Sequence, residues 1–451
     1  MLSVAEKEGY PDQLHSLACH GHEQSSARFA DSTSSAASPE ADDELCQSFP
    51  EGGKQGWLCV FGSFMGLTGS LGLVNSIGTF QAFLETHQLV QYGSGSTGWI
   101  FGTFTFLTFF CGIQIGPIFD ACGPRYLVFS GSLLVMAMMI SLGFCTEFWQ
   151  FFLSIGVAGG IGTSLIFTPA IAAIGHFFWE KRGLATGIAA GGGSVGGVIF
   201  PLVLESLFDK TGFAWATRVV ALLCLVCLAT GCLLITSRLP TKPFSRENIA
   251  PDLKILKEPG FLLTTLSVFF IEWGLFVPIS YISSYALTDG VNQRLSYQLL
   301  AILNAGSFFG RLVPGYMADF IGRFNTLIIT VALCLVCNCC FWLPAEGNVP
   351  LLITYCCLFG FSSGSNISLT PVCIGQLCRT EHYGRYYATA YTVVSISTLT
   401  GVPIAGEILT RCGGNYWGLI LFTICCYAAG LGCAIGVKII HCGWSQPWAK
   451  F

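Results

Sequence analysis

Charged residues are scarce in this chain of 451 residues: they make up 10% of it, while 53% of the residues are hydrophobic. Soluble domains carry about 25% charged residues, so a chain with this composition cannot cover a water-exposed surface. The mean hydropathy of +0.65 likewise indicates a polytopic membrane protein. With a net charge of −4, the chain gives no reason to expect a nucleic-acid partner.

The sequence also lacks the patterns that accompany catalysis and cofactor binding. It contains no metal-ligand cluster, no nucleophile elbow, no phosphate-binding loop and no soluble catalytic domain. Many of its 22 cysteines fall inside apolar runs, where Cys behaves as a small hydrophobic residue, so no disulfide framework is indicated. We therefore expect neither enzymatic activity nor a metal or other cofactor.

Apolar runs of about 20 residues recur from Trp57 onward, and each is long enough to cross a hydrocarbon core of roughly 30 Å. They predict an all-α polytopic membrane protein with twelve transmembrane helices in two six-helix bundles. The predicted spans lie near 57–80, 97–118, 127–146, 148–175, 183–207, 215–236, 261–286, 296–318, 324–343, 349–374, 384–408 and 415–440.

The chain thus divides into two bundles with polar segments before, between and after them. The first segment is rich in Ser, Ala, Asp and Glu, which predicts a disordered cytosolic tail. Sixteen of the 21 Lys and Arg residues lie on one side of the membrane if both termini are cytoplasmic, as the positive-inside rule requires. The predicted regions are the tail 1–53, the N-terminal bundle 54–236, the cytosolic linker 237–259, the C-terminal bundle 260–440 and a short cytosolic tail 441–451.

One loop pattern occurs twice, about 200 residues apart, and each copy stands between two apolar runs. The copies are Gly116-x-x-x-Asp120-x-x-Gly123-x-Arg125 and Gly315-x-x-x-Asp319-x-x-Gly322-Arg323. Similar halves around a midplane site are the architecture of secondary transporters. A carboxylate at the membrane edge can bind the N–H groups at a helix N-terminus or pair with Arg. We therefore predict that Asp120, Arg125, Asp319 and Arg323 form an inner gate; the alternative is a plain turn.

The connection between the fourth and fifth spans carries an aromatic and basic turn followed by a glycine-rich run. Its Lys181 and Arg182 are predicted to join the gate. Glycines spaced four residues apart leave a helix face without side chains, which suits close helix packing or the lining of a pathway. The glycines of this face are Gly187, Gly191, Gly192 and Gly196.

Two charged residues lie deep inside predicted spans, where a charge is costly and indicates a functional site. Glu272 lies in the seventh span and Arg311 in the eighth, and both are roughly 12–17 Å from the inner face at 1.5 Å per residue. We predict that Arg311 binds an anionic substrate group, with Glu272 as its partner or a proton acceptor. A buried structural ion pair without substrate contact is the alternative.

Four segments resemble the monocarboxylate-transporter-like branch of the major facilitator superfamily, especially its fungal members. They are Glu51-Gly52-Gly53 followed by Gly56-Trp57, the loop from Gly116 to Arg125, the segment from Phe177 to Gly191, and Gly310-Arg311 followed by Pro314-Gly315. The resemblance implies the major facilitator fold, alternating access by its two bundles and, in many members, proton-coupled movement of small carboxylates. It also implies that Arg311 binds the substrate anion.

The chain departs from the animal lactate carriers at two positions. Asn75 and Ser307 stand where those carriers place a Lys and an Asp, so a Lys–Asp proton relay is absent. Both side chains can still hydrogen-bond a polar solute, and with Asn304 they complete the predicted substrate-binding set.

The predicted function is transport of a small organic acid or related metabolite, either secondary active or facilitative, with protons as a candidate second partner. One alternative is export of a fungal secondary metabolite, or carriage of a vitamin such as riboflavin, on the same fold. A non-transporting membrane sensor is a more distant alternative. The expected location is the plasma membrane, with the vacuolar membrane as the alternative.

Overall fold

The computed structural model describes residues 52–238 and 253–443, and within these ranges the chain is helical and contains no strand. The predicted tail before residue 52, the centre of the linker and the end of the C-terminal tail lie outside the described residues. The long helical segments, α1 to α12, are Gly53–Val74 (continued by Ile77–Thr86), Gly93–Phe110 (continued by Gly112–Cys122), Arg125–Ser141, Phe148–Phe151 (continued through a π-helical Phe152–Gly159 to Gly160–Ile174), Arg182–Thr211, Phe213–Leu234, Pro259–Thr288, Gln293–Ile321, Arg323–Cys337 (continued by a π-helical Asn338–Trp342), Val349–Gln376, Tyr383–Arg411 and Trp417–Cys442.

The predicted fold class is confirmed: each predicted span coincides with one of these helices. Eleven helices of the described chain are long and apolar enough to cross a membrane. Helix α8 is long enough at 29 residues but is not among those eleven. It carries Asn304, Ser307 and Arg311, and these polar side chains make it less apolar than its neighbours. Polar residues on a spanning helix face the bundle interior or a cavity rather than lipid, so α8 can cross the membrane although it is less apolar than the other helices.

Helix contacts repeat from the first half to the second. In the first half, α1 packs against α5 and α6, while α3 packs against α4 and α6. In the second half, α7 packs against α11 and α12, while α9 packs against α10 and α12. Each of these contacts in the first half therefore has a counterpart between the equivalent helices of the second half. The chain thus forms two six-helix bundles with the same arrangement of helices.

The two bundles meet along two equivalent pairs of helices, α5 with α8 and α2 with α11. Glycines bring these backbones together at the end of the molecule that carries the loops of Asp120 and Asp319, which we call the aspartate end. A Cβ added to Gly315 would lie 2.6 Å from the carbonyl oxygen of Gly183, and one added to Gly384 would lie 2.8 Å from that of Gly116. Larger residues at these positions would force the two bundles apart.

The glycine-rich run of α5 serves two different neighbours. Gly187 and Gly191 face α8, where an added Cβ would meet the Arg311 carbonyl oxygen and the Phe308 ring, respectively. Gly192 and Gly196 face α1, and a Cβ on Gly196 would lie 2.6 Å from the Cα of Gly72. The two i, i+4 pairs therefore let α5 lie between its own bundle and the other one.

Candidate functional site

The two repeated aspartates each hold the N-terminus of a helix in the opposite bundle. Asp319 accepts hydrogen bonds from the backbone N–H groups of Gly183 and Leu184 at 2.8 and 3.0 Å, at the start of α5. Asp120 accepts the equivalent bonds from Gly384 and Arg385 at 3.1 and 2.9 Å, at the start of α11. A carboxylate at a helix N-terminus binds the free N–H groups and also interacts favourably with the helix dipole. The two bundles are thus tied together twice at this end.

The four basic residues predicted for the gate have different surroundings. Arg182 is buried, with its guanidinium carbon 4.0 Å from the centre of the Tyr383 ring in the opposite bundle. Arg323 donates a hydrogen bond of 2.7 Å to the carbonyl of Trp179 and lies over its ring. Arg125 and Lys181 are exposed. Arg182 and Arg323 therefore both bridge the two bundles, and the first does so as a buried cation on an aromatic face.

His176 anchors the connection between α4 and α5. Its Nδ1 lies 2.9 Å from the hydroxyl oxygen of Ser237, the first residue of the predicted linker. Burial, together with the positive charges of Arg182 and Arg238, lowers the pKa of His176 to about 3. The imidazole is therefore neutral at physiological pH and holds the linker through a neutral hydrogen bond.

Arg311 on α8 lies between the two bundles, against α5. Its side chain is 2% exposed, and its Nη1 donates a hydrogen bond to the backbone carbonyl of Ala190 on α5. Its Nε has no hydrogen-bond partner among the described residues. A buried guanidinium carries five donors, so this arrangement leaves donor capacity for a further acceptor.

Glu272 on α7 is 1% exposed and lies within electrostatic range of Arg311. Neither of its carboxyl oxygens has a hydrogen-bond partner in the described part of the chain. The two side chains thus lie within electrostatic range of each other but do not form a hydrogen-bonded ion pair. An unpaired buried carboxyl and a partly satisfied guanidinium are costly in a static core and are typical of a site that receives a ligand or a proton.

The other three predicted substrate residues hydrogen-bond to α5. Asn75 donates to the Gly193 carbonyl at 2.9 Å, and Asn304 donates to the Gly197 carbonyl at 3.5 Å. Ser307 lies 3.3 Å from the hydroxyl oxygen of Ser194. Pro201 has no N–H, so the Gly197 carbonyl lacks its usual helical donor four residues later and can take the Asn304 amide instead. In this conformation these side chains position α5.

Aromatic residues that were not in the predicted site lie near Arg311 and Glu272. Tyr383, Tyr387 and Tyr391 follow one another at four-residue intervals on α11, and all three are buried. Phe109 on α2 and Phe167 on α4 pack against them from the opposite bundle. The i, i+4, i+8 spacing of the tyrosines was visible in the sequence, whereas their packing against two phenylalanines of the other bundle was not.

Comparison with known proteins agrees with this architecture. Residues 56–402 match the Major Facilitator Superfamily. The chain belongs to this family. Its members are transporters and not enzymes, so this chain is a multi-pass membrane transporter that binds a small-molecule substrate within the bilayer.

Curated relatives and solved structures include three informative examples. The aspyridones efflux protein apdF of Emericella nidulans is 35% identical to this chain, and the aligned region covers 87% of this chain and 80% of that protein. The riboflavin transporter MCH5 of Saccharomyces cerevisiae is 33% identical to this chain, and the aligned region covers 91% of this chain and 84% of that protein. The crystal structure of the human organic anion transporter TETRAN superposes with a TM-score of 0.68 at 14% identity, covering 84% of this chain and 99% of that one, and shows a shared fold alone.

Proposed function

We propose that this transporter moves a small organic acid or a related metabolite by alternating access, with Arg311 as the residue that binds the anionic group. The buried position of Arg311 between the two bundles carries the proposal, because its guanidinium has an Nε without a partner in the described chain. A substrate carboxylate would supply the charged acceptor that Arg311 lacks. This assignment agrees with the resemblance to the monocarboxylate-transporter-like branch.

Glu272 is the proposed proton acceptor or charge partner of Arg311. Its carboxyl group is buried next to the guanidinium, and its oxygens lack hydrogen bonds in the described residues. Proton uptake by such a carboxyl group would change the net charge of the site by one unit during the transport cycle. Coupling to protons therefore predicts that Glu272→Gln abolishes the effect of a proton gradient while leaving substrate exchange intact.

Asp120 and Asp319 are the proposed latches of the gate at the aspartate end. The distribution of basic residues supports a cytoplasmic location for this end. Each carboxylate crosses from one bundle to a helix N-terminus of the other. Opening this end requires both sets of hydrogen bonds to break. The observed conformation is then the one in which the gate at the aspartate end is closed.

A second candidate function is export of a fungal secondary metabolite or carriage of a vitamin. The names of two relatives, an aspyridones efflux protein and a riboflavin transporter, favour it. In either case the same central site would bind a larger molecule. Overexpression that raises resistance to one toxic metabolite would support export, whereas a substrate-dependent rise in the pH of the medium would support proton symport.

Untargeted metabolite profiling inside and outside cells tests the proposal. Cells that produce the wild-type chain would be compared with a deletion and with Arg311→Ala, each with and without a protonophore. Arg411→Ala is the matched control, because Arg411 is exposed and pairs with Glu407 at the far end of α11. One anionic compound should redistribute with the wild type and the control but not with Arg311→Ala.

Other outcomes would separate the alternatives. Unchanged flux in Arg311→Ala would make Arg311 structural and remove the main support for an organic acid. Redistribution of a neutral compound would favour the vitamin or secondary-metabolite alternative. Signalling without any flux in the wild type would favour a sensor. A fluorescent fusion in the same cells would distinguish the plasma membrane, which we propose, from the vacuolar membrane.

A further inference from the structure

Four aromatic rings from both bundles meet beside the proposed anion site. The Phe109 ring lies 5.2 Å from the Tyr391 ring and 5.7 Å from the Phe167 ring, measured between centroids. Phe167 in turn lies 6.0 Å from Tyr387 and 5.9 Å from Tyr391, and the two tyrosines are 4.7 Å apart. We call these four residues the ring cluster. Each bundle contributes two rings, so the cluster separates whenever the bundles move apart at this level.

Polar atoms of the ring cluster and of the adjoining face of α10 lack the hydrogen bonds that burial normally requires. The Tyr391 hydroxyl lies close to the hydroxyls of Tyr387 and Thr370, yet none of the three makes a well-formed hydrogen bond among the described residues. Asn366 lies one turn from Thr370 on the same face of α10, is fully buried, and has no partner for its amide oxygen or nitrogen within the described chain. A buried polar group left unsatisfied costs about 1–3 kcal/mol.

The charged pair of the anion site borders the same cluster. Tyr391 lies within electrostatic range of both Arg311 and Glu272, and Tyr387 lies within range of Glu272. The site therefore combines ring faces, unsatisfied hydroxyl and amide groups, and one guanidinium. An aliphatic acid would use only the guanidinium, while a purely structural core would pack better with Phe in place of both tyrosines.

We propose that the substrate is a planar aromatic or heteroaromatic acid whose ring lies among Phe109, Phe167, Tyr387 and Tyr391 while its acid group binds Arg311. This inference rests on the proposed function, since it names the substrate class of the same site. Aromatic faces stack on a planar ring, and the tyrosine hydroxyls with Asn366 supply hydrogen bonds to polar groups at the ring edge. Separation of the two bundles opens the space that the ring enters.

Binding to the purified full-length chain tests this inference with two matched probes. 2-Naphthoate has the carboxylate and a planar ring system, whereas decahydro-2-naphthoate has the same carbon skeleton without a ring face. Apparent dissociation constants would be taken from the ligand-dependent shift of the thermal unfolding midpoint. The wild type should bind 2-naphthoate at least about tenfold more tightly than its saturated analogue, as expected for stacking on more than one ring.

Variants of the ring cluster make the test specific. Phe109→Leu and Phe167→Leu should bring the ratio of the two dissociation constants close to one. Phe129→Leu on α3 is the matched control, because Phe129 is 58% exposed on the outer face of the bundle, and it should leave the ratio unchanged. Unfolding without ligand reports whether each variant folds. Should the Leu variants fail to fold, Tyr391→Phe provides the test. The wild type should bind 6-hydroxy-2-naphthoate more tightly than 2-naphthoate through the Tyr391 hydroxyl, and Tyr391→Phe should remove this preference and keep the ring preference.

The outcomes distinguish this inference from the proposed function. Equal affinity of the wild type for both probes, with weaker binding of both in Arg311→Ala, would keep the anion site and overturn the aromatic class. A tenfold ring preference that survives Phe109→Leu and Phe167→Leu, or a preference for 6-hydroxy-2-naphthoate that survives Tyr391→Phe, would also overturn the role of the ring cluster. If neither probe binds, or if both bind equally well to Arg311→Ala, the anion site itself fails and this inference fails with it.

Discussion

Removing the charge of Asp319 should open the gate at the aspartate end. Asp319 accepts two N–H hydrogen bonds from the start of α5, at 2.8 and 3.0 Å. The Asn of Asp319→Asn keeps the shape of the side chain, but it offers one acceptor oxygen and turns an NH₂ group toward the second N–H. The substitution therefore loses one hydrogen bond to a charged group and the interaction of that charge with the helix dipole.

The expected shift is about tenfold in the equilibrium between the closed and open gate. A hydrogen bond to a charged group contributes about 1.5–3 kcal/mol, and the half-buried position of Asp319 favours the lower end of this range because water screens the charge. A free energy of about 1.4 kcal/mol corresponds to a factor of ten. Asp120→Asn should act equally, and the double variant should approach a hundredfold shift because the two carboxylates bind different helices.

Distance distributions from electron paramagnetic resonance would measure this equilibrium. Spin labels on non-canonical amino acids at Tyr126 and Phe320 would avoid the 22 cysteines, and both positions are well exposed, at 81% and 57%. They lie in opposite bundles at the aspartate end. The population at long distance should rise about tenfold in Asp319→Asn and stay unchanged in Glu407→Gln, an exposed carboxylate at the other end of α11. Unchanged distributions in both Asp variants would show that these carboxylates are not latches.

Three further predictions follow from the packing and the titration of single residues. Gly187→Ala should lower the thermal unfolding midpoint because its Cβ would meet the Arg311 carbonyl oxygen. The control Gly432→Ala on α12 has open space around the new methyl group and should leave the midpoint unchanged. Equal midpoints in the two variants would contradict the close packing of α5 on α8. His176→Asn should flatten the pH dependence of the midpoint. The pKa of His176 is lowered from 6.5 to about 3 in the folded chain, so the folded state loses up to about 1.4 kcal/mol of stability per pH unit as the pH falls from 6.5 towards 3. An unchanged slope in the variant would refute this. Asn304→Ala should cost about 1 kcal/mol of stability in the wild type. It should cost less in a Pro201→Ala background, where the restored N–H donates to the Gly197 carbonyl. A double-mutant cycle with no coupling would show that Pro201 does not explain the Asn304 hydrogen bond.

The helices were readable from the sequence because membrane spans are set by one strong quantity, the length of an apolar run. Even α8, whose polar residues make it less apolar than the other spans, was predicted from the apolar run near 296–318. The hydrogen bonding of Asp120 and Asp319 could be anticipated as well, because a carboxylate at a repeated helix boundary can either bind N–H groups at a helix N-terminus or pair with Arg.

The identity of hydrogen-bond partners was much harder to predict. Asn75, Asn304 and Ser307 were expected to face a solute, but in this structure they bond to α5. A glycine-rich helix offers exposed carbonyls to its neighbours, and the sequence does not say which neighbour will use them. The ring cluster was missed for a related reason: its two phenylalanines and two tyrosines belong to helices that lie far apart in the chain and meet only when the bundles dock.

Transport by Arg311 variants in reconstituted vesicles tests the central claim most directly. The compound identified by metabolite profiling would be measured by exchange across vesicles that contain the wild type, Arg311→Lys, Arg311→Ala or the control Arg411→Ala. We predict normal exchange in the wild type and the control, reduced exchange in Arg311→Lys, which keeps the charge but not the planar donors, and none in Arg311→Ala. Exchange at the wild-type rate in Arg311→Ala would contradict the assignment of Arg311 as the substrate-binding residue.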